Sequence, residues 1–178
     1  MKKIFYLIIA HFFMLSNANA QDVSLDLQKV PAFDTIAQAA KWKSLKSRVG
    51  VSFGNSNMRY TQDVFPEIKQ QNNLTLTAWK GEKLNAQLLV WAKTNVSAIK
   101  VSVSDLKSTT GKTISKTNIS AGFVEYVITD EFAAGCGNRK PEDFASSLVA
   151  DPINTIAKSA SLKKDNVQPI WLSIKIPS

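Results

Sequence analysis

The sequence has 178 residues, a formal net charge of +8, one histidine and one cysteine. This length suits one domain with its own hydrophobic core, and a lone cysteine excludes an internal disulfide. The basic residues are scattered along the chain rather than interleaved with aromatic residues on one face, so we expect no nucleic-acid partner.

The first twenty residues have the pattern of a secretory signal peptide. Lys2 and Lys3 form a positive start, an apolar run extends from Ile4 to Leu15, and Ala18–Ala20 is a small-residue cleavage site. The apolar run is shorter than the ~20 residues that a membrane-spanning helix needs. We therefore expect this segment to be removed and no membrane span to remain afterwards.

Cleavage after Ala20 predicts a single mature domain, residues 21–178, with periplasmic or secreted localisation. His11, the only histidine, leaves with the signal, and Cys136 is the only cysteine. Ser-His-Asp and Cys-His catalytic arrangements and histidine-ligated zinc are then excluded, and we expect no cofactor and no metal site. Cys136 lies between two glycines, which suits a small residue in a tight turn, with a reactive thiol or an intermolecular disulfide as alternatives.

Two short helices are predicted among many strands. Asp34–Lys46 predicts a helix capped by Asp34, with Ile36, Ala40 and Leu45 on one face. Pro141–Ala150 predicts one or two helical turns, because proline suits the first helical position and Glu142 and Asp143 favour an N-terminus.

The rest of the chain after Gly50 alternates apolar and polar residues with the period of β-strands. The alternating segments are Val51–Phe53, Leu74–Ala78, Leu84–Ala92, Ile99–Val103, Val124–Ile128 and Gln168–Ile176. Such short strands, separated by turn residues, predict an all-β, antiparallel β-sandwich. Because the sequence stops on a strand, we also expect a sandwich that is incomplete at the C-terminus, with an unpaired edge there.

Three segments resemble the N-terminal β-sandwich domain of glycoside hydrolase family 123-like proteins. They are Trp79–Leu89, Val101–Leu106 and the loop Thr129–Asp151, and the resemblance extends from about Trp42 to the last residue. It implies a non-catalytic accessory domain of an N-acetyl-β-galactosaminidase-type enzyme, whose catalytic barrel follows this domain. It also implies a context in carbohydrate metabolism, a glycosidase barrel or a glycan as partner, and no enzymatic activity for this chain alone.

Asp130 and Glu131 are adjacent carboxylates of the type that substrate-assisted glycosidases use. The resembled family has its Asp-Glu pair in the barrel, and nothing matches that pair residue by residue here. In an extended strand the two side chains would also point to opposite faces. We therefore predict no catalytic residue, and expect Asp130, Glu131 and Arg139 to contact a ligand or a neighbouring domain.

Trp79 and Trp171 are the other candidate contacts, because a flat indole ring stacks on sugar rings and its nitrogen donates a hydrogen bond. Trp171 falls on the strand face opposite Ile170, Leu172 and Ile174. Two further interpretations follow from such side chains and from export: a free-standing carbohydrate-binding module, and a structural or adhesive envelope protein.

Overall fold

The computed structural model describes residues 3–6, 35–129 and 147–178. Within these ranges the chain forms one α-helix, one short 3-10 turn and eleven β-strands, all paired antiparallel, which confirms the all-β sandwich prediction. The elements are β1 (Lys3–Tyr6), α1 (Thr35–Ser44), β2 (Val49–Gly54), β3 (Thr75–Ala78), β4 (Lys83–Ala92), β5 (Val96–Ile99), β6 (Leu106–Lys107), β7 (Thr113–Ile114), the 3-10 turn (Lys116–Asn118), β8 (Ile119–Thr129), β9 (Ser147–Asn154), β10 (Ala160–Leu162) and β11 (Asn166–Lys175).

A five-stranded sheet organises the domain, in the order β2-β4-β11-β8-β9. β11 is the central strand: all ten of its residues pair with β4, and Ile170–Ile174 also pair with β8. The expectation that the last strand would lack a partner is therefore wrong. An alternating strand near the end of a sequence does not reveal its place in a sheet, because strand order depends on which earlier strands bind it.

Pro169 lies within this central strand, although proline has no N–H to give to the ladder. The paired register between β11 and β8 stops at Ile170 opposite Phe123. Beyond that point the side-chain amide of Gln168 donates to the carbonyls of Val124, at 2.8 Å, and Pro169, at 2.9 Å. A side chain thus provides a donor where the proline cannot.

One face of the sheet carries the main hydrophobic core. Strict alternation along β4 and β11 brings Val90 and Ile170 to this face, and both are buried. They pack against β5 and β10, which form a separate two-stranded sheet. The buried members of this core are Phe53, Ala86, Val90, Ala92, Val96, Ile99, Phe123, Leu162, Ile170 and Leu172.

Helix α1 and the β2–β3 loop cover part of the opposite face. Trp42 is buried against Leu89 and Trp91 of β4, and Phe65 makes edge-to-face contacts with the rings of both tryptophans, at centroid distances of 5.1 and 6.4 Å. The predicted apolar face of the helix is wrong, because Ile36 is 81% exposed while Trp42 is the buried anchor. Aromatic partners in a distant loop decide which helix face is covered.

Tyr126 fastens this loop to the sheet. Its one hydroxyl proton is shared between the backbone carbonyls of Tyr60, at 3.1 Å, and Val167, at 3.3 Å. Burial, with a smaller effect from the charge of Asp63, raises the pKa of the Tyr126 phenol well above its usual value. The phenol therefore stays protonated and works as a structural donor.

The chain protects both outer strands of the five-stranded sheet. Beside β2, the Phe53 N–H donates to the Gln71 carbonyl and the Gln70 side chain donates to the Val51 carbonyl, both at 3.1 Å. On the other side, the edge strand β9 contains Pro152 near an irregularity in its pairing with β8. The predicted helix is therefore wrong for residues 147–150, which are strand; residues 141–146 lie outside the described residues.

β1 pairs antiparallel with β3, with Lys3 opposite Ala78 and Tyr6 opposite Thr75. This strand falls within the predicted signal peptide, and it is the strand partner of β3 in the described part of the chain. No helix in residues 35–129 or 147–178 is long and apolar enough to cross a membrane.

Candidate functional site

The sequence-predicted candidates fall into three groups. Asp130, Glu131 and Arg139 lie outside the described residues, as does Cys136. Trp79 is 73% exposed in the turn that follows β3, where its backbone N–H donates to the Glu82 carboxylate at 2.7 Å. Trp171, on the central strand β11, lines a cleft.

This cleft has a volume of 240 Å³ and lies on the sheet face that α1 leaves partly open. Its floor comes from three strands and consists of Gln87, Trp171 and Val124. One wall is the loop Ser56–Arg59, and the opposite wall is formed by β9 through Ala150, Asp151 and Ile153. Trp79 is not among the described lining residues, so the structure does not bring the two candidate tryptophans into one site.

The position of Trp171 follows from strand register. Gly54, Gln87, Trp171 and Gly122 lie opposite one another on four neighbouring strands, and such cross-strand partners share a sheet face. A Cβ on Gly122 would lie 2.6 Å from the Ile153 side chain. The missing side chain at Gly122 thus lets Ile153 lie over the sheet beside the indole.

Gln87 holds the loop wall in place from below. It is 3% exposed, and with its amide oriented to satisfy its neighbours its nitrogen donates to the carbonyls of Asn55, at 2.9 Å, and Met58, at 3.2 Å. Asn85 lies two residues earlier on the same face of β4 and is exposed, whereas Gln87 is buried because the loop covers it.

The loop wall is also ordered by its own hydrogen bonds. The Asn57 N–H donates to the Asn55 side-chain oxygen at 2.9 Å, which is an Asx turn. The Met58 N–H donates to the Asn55 carbonyl at 3.1 Å, and the Asn55 N–H donates to the Tyr60 hydroxyl at 2.9 Å. The cleft therefore has a wall that is formed before any ligand arrives.

An ion pair connects the two walls across the mouth. Arg59 Nη2 lies 3.6 Å from Asp151 Oδ1, and both side chains are more than half exposed, at 53% and 62%. An exposed pair of this kind contributes only about 0–1 kcal/mol to stability. Its importance is chemical, because it places a guanidinium and a carboxylate beside the indole.

Among the described residues that line the cleft, Asp151 is the one carboxylate, whereas glycosidases generally use a pair of carboxylates. The described residues also contain no group of three or more side chains of the types that ligate metals. Trp171 is a candidate from its strand face, whereas the sequence pattern does not indicate Arg59, Asp151 and Gln87. Strand pairing and the fold of the β2–β3 loop bring these three beside it.

Comparison with known proteins identifies a matching family. The glycoside hydrolase 123 N-terminal domain family matches residues 53–178, from the end of β2 to the last residue. Thirteen chains of solved structures also match, and no curated protein sequence does.

One of the solved structures is a family 123 glycoside hydrolase from Clostridium perfringens, studied for its hydrolysis of glycolipid glycans. It is 25% identical to this chain with a TM-score of 0.60, and the match covers 74% of this chain but 22% of that enzyme. The chain thus corresponds to about a fifth of the length of that relative. The fold, the extent of the match and the suspected resemblance agree: the chain belongs to the glycoside hydrolase 123 N-terminal domain family.

Proposed function

We propose that this chain is the non-catalytic accessory domain of an exported family 123-like glycoside hydrolase and works beside a catalytic domain that carries out hydrolysis. The family match over residues 53–178 is the observation on which this depends. The likeness to 22% of the Clostridium perfringens enzyme supports it, because most of that enzyme lies outside the matched part.

That the chain alone does not catalyse hydrolysis is part of this proposal. The described lining of the cleft holds one carboxylate, whereas substrate-assisted glycosidases use two adjacent ones, one to orient the acetamido group of the sugar and one to protonate the leaving oxygen. Asp130 and Glu131 remain a predicted pair of interface or ligand contacts. We propose that their loop contacts the catalytic domain.

A hydrolysis assay tests this first. The purified chain is incubated with an aryl N-acetyl-β-galactosaminide, and we expect no release of the aryl group above background. The double variant Asp130→Asn/Glu131→Gln serves as the control. Turnover by the unaltered chain that the double variant abolishes would contradict a purely accessory role.

The partner is tested through the genomic DNA. We expect a reading frame for a family 123 catalytic domain, either continuous with this sequence or immediately downstream of it. Co-expression of the two products should yield a complex that elutes as one species in gel filtration. If the neighbouring DNA encodes no such domain and the chain alone forms defined oligomers, a structural envelope role replaces the proposal.

Export is tested separately. Expression of the full sequence in a Gram-negative host should place a product in the periplasm whose mass corresponds to a start at Gln21. Recovery of the uncut chain from the cytoplasm would remove export from the proposal and leave the accessory role intact.

A further inference from the structure

We propose that the cleft between the loop Ser56–Arg59 and strand β9 binds one pyranose ring of a glycan, with Trp171 as the stacking surface and Arg59 and Asp151 as its polar partners. Nothing in the accessory role requires such a site, so the two proposals stand separately.

Trp171 is suited to stacking because of where it sits. It lies on the central strand, between neighbours Ile170 and Leu172 that are buried on the other face, yet its own side chain is only partly covered. A strand paired on both sides fixes the backbone beneath the indole. A ring held in this way loses little conformational freedom when a ligand binds.

The surroundings of the indole match the surface of a sugar, which has an apolar C–H face and a polar rim. Met58 and Ile153 flank the cleft with apolar side chains that are 53% and 42% exposed. Farther out, the Arg59 guanidinium can donate to ring hydroxyls and the Asp151 carboxylate can accept from them. Binding pockets for small molecules typically combine an apolar lining with a few placed polar groups in this manner.

The size of the cleft argues for a single ring. Pockets for drug-sized molecules occupy about 300–1,000 Å³, and this cleft has 240 Å³. A domain interface would instead bury about 600–1,500 Å² across a broad surface. The small volume and the charged mouth therefore favour a sugar unit over a segment of the catalytic domain.

The test measures binding of free sugars to the purified chain. Galactose, N-acetylgalactosamine, glucose and N-acetylglucosamine, each also as a short oligosaccharide, are titrated by calorimetry and by saturation-transfer NMR. We expect saturable binding of at least one of them, and a reduction in affinity of about tenfold or more for Trp171→Ala. Asp151→Asn should weaken the same sugar by about two- to tenfold, the effect of one lost hydrogen bond.

Two matched variants serve as controls. Trp79→Ala removes an exposed indole outside the cleft, and Glu67→Gln removes the carboxylate of an exposed ion pair with Lys41. Both should bind the sugar with unchanged affinity. If circular dichroism shows that Trp171→Ala is unfolded, the affinities of Asp151→Asn and Glu67→Gln for the sugar are compared instead. Both variants should fold, because Asp151 and Glu67 each belong to an exposed ion pair.

Two results would overturn the inference: no sugar in the panel saturates the chain, or the cleft variants bind as tightly as the controls. These titrations use the chain without a partner, so a negative result would not contradict the accessory role. Conversely, failure to find a catalytic domain would not contradict sugar binding by the cleft.

Discussion

Replacement of Gly50 by alanine tests how the loop-covered face is packed. Gly50 lies directly opposite Trp91 on the neighbouring strand, and the indole of Trp91 lies across the glycine. A Cβ built on Gly50 would come within 2.5 Å of the Trp91 Nε1 and Cζ2 atoms. The absence of a side chain at Gly50 therefore leaves room for the Trp91 ring, which is 3% exposed.

The size of the effect follows from two opposing contributions. Alanine in a strand interior is favoured over glycine by about 0.5–1 kcal/mol. Against this, the ring must move until its nearest atom, Cε2, reaches the 3.4 Å at which ordinary contact begins, and Phe65 already packs against it. Overpacking of a core costs about 1–3 kcal/mol. We expect the upper part of that range, and hence a net loss of about 2 kcal/mol in the free energy of unfolding.

Urea denaturation followed by circular dichroism measures this difference. Trp91→Phe provides the partner for a double-mutant cycle, because the smaller ring leaves room for the new methyl group. The cost of Gly50→Ala should fall by at least about 1 kcal/mol in the Trp91→Phe background, a coupling typical of residues in contact. If Gly50→Ala were as stable as the unaltered chain, the close approach of ring and backbone would be refuted.

Four further predictions concern hydrogen bonds, pH dependence and strand pairing. Tyr126→Phe removes the single O–H donor that two carbonyls share and should cost about 1–2 kcal/mol by urea denaturation; an unchanged midpoint would contradict the fastening role. Because burial and then the charge of Asp63 raise the pKa of Tyr126, the folded state holds its proton more tightly than the unfolded state. Stability from this group is thus fully present below about pH 10, the ordinary tyrosine value, and declines above it by up to about 1.4 kcal/mol per pH unit, a decline that Tyr126→Phe should lack. Gln168→Met leaves the carbonyls it serves without that donor and should cost about 1–3 kcal/mol, whereas Gln70→Met, on an exposed residue, should cost less than half as much; equal costs would disprove the substitute-donor role. Removal of residues 1–20 takes away β1, so amide hydrogen exchange over Thr75–Ala78 should be faster than in the full-length chain, and unchanged protection would refute the pairing.

Alternation in the sequence was sufficient for the core face of the sheet. Apolar residues occupy every second position on one face of β4, from Leu84 to Ala92, and Ile170, Leu172 and Ile174 of β11 share a buried face as predicted. The same period correctly placed Trp171 on the opposite face. Local periodicity is enough here because a paired strand has only two faces.

Helix faces and strand order required information that local patterns do not contain. Trp42 is buried because Phe65 and Trp91 meet it from distant segments, so the helix could not be oriented from its own residues. Likewise, Arg59 and Asp151 face each other only because β9 pairs beside β8 and the β2–β3 loop folds over β4. Residues 147–150 follow a proline and two acids that suit a helix, yet pairing with β8 makes them a strand.

The protection of both edge strands of the five-stranded sheet has a practical consequence. Gln70 and Gln71 bind the edge strand β2, and Pro152 interrupts the edge strand β9. The edges of this sheet are therefore poor templates for cross-β pairing between molecules. Fusion of this domain to an unrelated enzyme should therefore not introduce a fibril-forming surface from that sheet, which makes it a suitable cassette for grafting experiments.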